Sequence, residues 1–191
     1  MASIRTSSAN STQDNENHFH ILMTFMARMS RLSAEALAVD ADPVKIKVTA
    51  AEIRADLNRW WLSCPDDLRE QSNDWRQQVR EEKLTVSQTL QEEGMSSIRS
   101  CMFGCVIYLN HILNPVFREP RSPEVTEAIT EILEIARETP EGYGLEMGLY
   151  FGLFMAGIAV FNEAEEEDLL RSKLKADQRV SIYVCINRPR F

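Results

Sequence analysis

The sequence predicts an all-α fold, an irregular helical bundle packed around a central buried helix at about residues 147–161. Three observations carry this expectation. From Met147 to Phe161 no side chain is charged, so a helix there is apolar on every face and must be covered by other elements. Several other stretches repeat apolar residues at intervals of three and four and are bounded by capping residues and prolines. No strand pair capable of building a sheet can be found. The charge-free run is no membrane span, because at the helical rise it covers about 22 Å where a bilayer core needs roughly 30 Å. Gly148, Gly152 and Gly157 within it cost helix stability but let a neighbouring backbone come close.

Residues 1–17 are rich in Ser, Asn and Thr with almost nothing apolar, which predicts a disordered tail ahead of a helical domain at 18–175. Phe19, Leu22, Met23, Met26, Met29, Leu32 and Ala36 mark the inward stripe of a first helix. His18 and His20 at its start point in different directions and are expected to be frayed surface residues. Asp42 and Pro43 supply the cap and first turn of a second helix. Its stripe runs through Ile46, Ala50, Ile53, Leu57, Trp60, Trp61 and Cys64, and Pro65 ends it. The paired tryptophans read as a core anchor, and Asp66 and Asp67 as the first turn of a short helix.

Between Gln71 and Gly94 the chain is polar, with Trp75, Val79, Leu84, Val86 and Leu90 as scattered anchors, so short helices or a partly ordered connection are expected. Gly94 is expected to break this stretch. Ile98, Met102, Cys105, Leu109 and Ile112 then form a strong stripe that ends at Asn114 before Pro115. Ser122, Pro123 and Glu124 open the next helix, with Val125, Ala128, Ile129, Ile132, Leu133 and Ala136 inward, stopped by Pro140 and Gly142. After residues 147–161, Asn162 and Glu165 stand in capping-box spacing ahead of a helix with Leu169, Leu170 and Leu174 inward. Residues 176–191 are an atypical end: Val180 to Ile186 is an apolar, β-branched run with nothing to pair with.

At 191 residues the chain is long enough for one sizeable core and too short for two. Hydrophobic residues at 44% and charged residues at 26% are ordinary for a soluble globular protein. A net charge of −8 with no concentrated Lys/Arg face argues against direct nucleic-acid binding, since neutralising phosphates takes such a face. Cys64, Cys101, Cys105 and Cys185 are scattered, and the N-terminal stretch lacks the apolar core of a secretory signal, so an intracellular chain with reduced thiols is expected.

The sequence holds no phosphate loop, no GxSxG, no HExxH and no framed pair of carboxylates. Cys101 and Cys105 lie one helical turn apart and read as small buried hydrophobes in place of metal ligands. No catalytic, cofactor-binding or metal-ligating residue is assigned. The alternative to a non-enzymatic reading is a small helical enzyme or ligand-binding protein with an apolar pocket near Tyr108, His111 and Tyr150.

YLNHILNP (Tyr108 to Pro115), SPEVTEAITEILEIARETP, GLYFGLFMAGIAV (Gly148 to Val160) and a helix containing LLRSKL (Leu169 to Leu174) follow one another in a characteristic order. In this the chain resembles the regulatory region of fungal zinc-binuclear-cluster transcription factors, over roughly Met95 to Ser181. The resemblance implies a nuclear helical module that restrains or dimerises a factor and responds to a protein partner or a small-molecule effector. The zinc of such factors sits in a six-cysteine cluster, and this sequence holds no such array. It also stops just after VSIY, where the family continues. These departures suggest a fragment, or last residues that come from mis-read sequence.

Overall fold

The computed structural model describes residues 4–70, 74–115, 121–140 and 147–160. Among them it contains α1 (Ile4–Ala36), α2 (Pro43–Ser63), α3 (Asp66–Arg69), α4 (Trp75–Arg80), α5 (Val86–Leu113), α6 (Pro123–Glu138) and α7 (Met147–Ala159), and no strand. The fold is an all-α bundle. The expected helix at 162–175 and the atypical end at 176–191 lie outside the described residues.

Several boundaries follow directly from local chemistry. The Asp42 carboxylate accepts the backbone N–H groups of Val44 at 2.9 Å and Lys45 at 3.3 Å, and Pro43 occupies the first turn where no N–H is needed. Ser122 Oγ accepts from Val125 N at 3.3 Å with Pro123 behind it, which starts α6 in the same way. Cys64, extended ahead of Pro65, closes α2, and the short α3 buries Leu68.

Two boundaries differ from expectation. The backbone of α1 is helical from Ile4, so the edge expected between residues 17 and 18 falls inside a helix. Polar residues with straight or small side chains do not prevent a helix already anchored downstream from propagating, since each added residue gains a hydrogen bond without a new nucleus. Gly94 does not break the chain either: α5 begins at Val86, with Thr85 and Gln88 forming a reciprocal capping box. Gly94 serves instead as a point of close approach, because a Cβ there would lie 3.0 Å from the Asn15 amide nitrogen of α1.

The helix that organises the bundle is α5, which packs against α1, α2, α3, α6 and α7. Met95 through Met102 are all buried. A helix can bury consecutive residues only if every face is covered. α7 is also apolar and buried at Leu149, Leu153, Met155, Ala156 and Ala159, but it packs on α5 and α6 and leaves Phe154 49% exposed. Thus the described part of the charge-free rod, 147–160, lies in the core as expected, beside a central helix whose polar residues conceal its position.

The α5–α7 contact is unusually close. A Cβ on Gly152 would lie 2.5 Å from the Ser100 carbonyl oxygen and 3.0 Å from its carbonyl carbon, and would overlap Ser100 Oγ. Across the same seam, a Cβ on Gly104 would come within 3.0 Å of Gly152 Cα. An aromatic chain ties the other side of the core: Trp60 meets Phe25 of α1 at 6.1 Å and Trp61 at 5.9 Å, and Trp61 meets Phe103 of α5 edge-on at 6.2 Å.

Gly152→Ala is predicted to destabilise the protein by about 1–3 kcal/mol through overpacking, despite alanine's better helix propensity. Thermal unfolding should fall by about 2–4 °C per kcal/mol for a domain of this size. Adding Ser100→Ala should not restore it, because the obstructing carbonyl remains. An unchanged or raised melting temperature would refute the close approach.

Candidate interaction surface

The residues of the expected apolar pocket do not assemble into the described cavity. Tyr108 is half-buried, with its ring edge-on to Phe151 at 6.2 Å; His111 is half-buried, and burial lowers its pKa; Tyr150 is half-buried on α7. The described cavity, about 490 Å³, lies instead between α1 and the first half of α5, where Phe19, Leu90, Gly94, Ser97 and Ile98 line it with several polar side chains. None of the three expected residues borders it.

The thiols are quiet. Burial raises the Cys64 thiol to about 11, and Cys105 is pushed well above its usual value by its hydrogen-bonded neighbour Cys101 and by burial. Cys101 donates toward Met26 Sδ at 3.7 Å. Among the described residues no group of three or more His, Cys, Asp or Glu could hold a metal ion. His18 is not the frayed surface residue expected: it is half-buried, with Nδ1 3.7 Å from Cys64 Sγ and its ring 6.0 Å from Trp60. The helical start upstream of it carries it onto α2.

One buried charge stands out. Arg99 on α5 is 1% exposed and donates to the carbonyls of Glu70 at 2.6 Å and Leu68 at 3.4 Å and to Ser96 Oγ at 3.1 Å. Burial lowers its pKa, while Glu92 and Glu131 act to hold it charged. These bonds fasten α3 and the turn after it to the central helix, so the role is structural. Glu92 is half-buried and its carboxyl pKa is raised, chiefly by burial, against the pull of Arg99.

The surface with an evident capacity for contact is on α2. Its inner stripe, Ile46, Ala50, Ile53 and Leu57, is buried in the bundle. On the opposite side lie Val44, Val48 and Leu62, exposed by 70%, 54% and 71%, with Ala51 and Ala55 exposed between them. Successive helical residues turn by about 100°, so the two stripes point in opposite directions. A helix apolar on two opposite faces calls for cover on both, and among the described residues the bundle supplies one.

Fold and surface together define a helical module whose distinctive feature is an open apolar helix face. Residues 12–184 match the family model described as fungal specific transcription factor domain, and the chain belongs to that family. No curated protein and no solved structure matches the chain. Among the described residues no helix is long and apolar enough to cross a membrane.

The charge cluster around Arg99 generates a pH prediction. The folded pKa of Glu92 lies above its ordinary value of 4.5, so its contribution is most favourable below that pH and is lost as pH rises through the folded pKa. Glu92→Gln removes this loss. In thermal denaturation the variant should gain on the native protein between about pH 4 and pH 7. A variant that loses ground over that range would contradict the assignment.

Proposed function

We propose that the chain is a regulatory and interaction module of a fungal transcription factor, acting in the nucleus through helix packing against a protein partner or against itself, and not through catalysis. The open outer face of α2 carries this reading, because an apolar stripe along a 21-residue helix gains stability by being covered. The net charge of −8 supports contact with protein in preference to direct contact with nucleic acid. The chain uses no cofactor of its own, and the zinc of such factors belongs to a DNA-binding cluster. Regulation works by population shift: a partner or small effector that binds one helix arrangement better than another changes how the associated DNA-binding part is presented.

The test is to tether the full chain to an unrelated DNA-binding domain upstream of a reporter in a fungal cell. The tethered chain should raise or lower reporter output several-fold relative to the DNA-binding domain alone, and Val48→Lys with Leu62→Lys should weaken the effect at equal protein level. Output indistinguishable from that of the DNA-binding domain alone would overturn the proposal.

A further inference from the structure

Sulfur gathers where α1 packs on α5. Cys101 Sγ of α5 stands 3.7 Å from Met26 Sδ of α1, and the side chains of Cys101 and Cys105 are hydrogen-bonded to each other. Both cysteines are buried and carry free thiols, and Met26 is half-buried. We propose that these three sulfurs form a site for a soft monovalent metal ion, copper(I), held between α1 and α5. The site stands on its own geometry and does not depend on the regulatory reading above.

The spacing suits an ion. Two sulfurs that share one ion through metal–sulfur bonds of about 2.3 Å stand roughly 3.8–4 Å apart, for angles between tetrahedral and trigonal. The sulfurs of Cys101 and Met26 already have nearly that separation, so little movement is needed. A disulfide is the competing use of the two thiols, and the helix opposes it. Residues four apart on a helix keep their Cβ atoms about 5–6 Å apart, whereas a disulfide needs about 3.5–4.5 Å. An ion spans the longer gap because it places two bonds between the sulfurs instead of one.

The donor set chooses the ion. Among the described residues no imidazole or carboxylate completes a group of three with the two thiols, so the third donor is a thioether. Thiol and thioether sulfur together suit copper(I), whereas zinc(II) takes harder partners beside its thiolates, and magnesium and calcium take oxygen. Charge points the same way. Coordination exchanges one thiol proton for the ion and releases that proton to water, so a thiolate paired with a monovalent ion leaves no net charge in the apolar core. Burial raises the Cys105 pKa because a bare thiolate there is costly, and a thiolate bound to copper(I) escapes that cost.

The methionines of α1 supply a way in. Met23 and Met26 are three residues apart and so are neighbours on the helix surface. Met23 is 38% exposed and Met26 half-buried, so thioethers lead from solvent to the buried thiol of Cys101.

The test uses the full chain with Cys64→Ala and Cys185→Ser, so that only the proposed pair of thiols remains. Copper(I) is supplied anaerobically from its complex with a chromogenic chelator, and the chain should withdraw one ion per molecule. X-ray absorption at the copper edge should show sulfur neighbours alone, and the loaded chain should melt several degrees above the free one. Met26→Leu keeps the side-chain volume, so the free variant should melt close to its parent. Its affinity should nevertheless fall about tenfold or more, since losing a ligand costs at least as much as losing a group that orients one. Met155→Leu on α7 should leave the affinity unchanged. Cys101→Ala with Cys105→Ala should abolish binding. Full-strength binding by Met26→Leu or by the double-alanine variant, nitrogen or oxygen among the neighbours of copper, or zinc(II) held as tightly as copper(I) would overturn the site.

Discussion

The approach of Gly152 to the backbone of Ser100 sets the geometry of the whole bundle. Two helices this close cannot slide or rotate past one another without collision, because the obstruction is a main-chain carbonyl and cannot move aside as a side chain would. The contact fixes α7 on one side of α5, and α6 packs against both. What remains of the surface of α5 is covered by α1 and α2 and, through the Arg99 guanidinium, by the short α3. Burial of the stretch from Met95 to Met102 is the outcome.

Much of this is legible in the residues. The caps at Asp42 and Ser122, the prolines at 43, 65 and 123, and the three-and-four spacing of α1, α2, α5 and α6 mark helices whose local preferences and tertiary roles agree. The central position of α5 is less legible, because Ser96, Ser97, Arg99 and Ser100 interrupt its apolar pattern. Such residues look solvent-facing in sequence. They are tolerated inside because serine is small and because the Arg99 charge finds carbonyl partners 29 and 31 residues away in the chain, a pairing that no local window reveals.

The start of α5 is obscured for a different reason. The turn between α4 and α5 ends in a Schellman arrangement in which Glu82 N donates to Val79 O at 3.1 Å and Lys83 N to Gln78 O at 3.0 Å. Glycine normally marks the left-handed position of such a turn, but here Glu82 occupies it with φ of 53°. The eye is drawn to Gly94, which lies within the helix. Likewise, the pocket expected around Tyr108, His111 and Tyr150 follows from residue chemistry alone, whereas the described cavity arises where α1 crosses α5. The outer stripe of α2 is present in the sequence, but alanines and an asparagine make it faint beside the stronger inner stripe, and only its exposure separates the two.

In this bundle α5 is the enclosed element on which the other helices depend, with α2 packed through one face and open on the other. Native-state hydrogen exchange on the full chain tests this most directly, because it orders amides by the free energy of the opening that exposes them. Amides from Ile98 to Leu109 should exchange slowest and only through global unfolding, with those of α2 opening earlier. An α5 that exchanges as fast as α2, or an α7 that remains protected after α5 has opened, would contradict it.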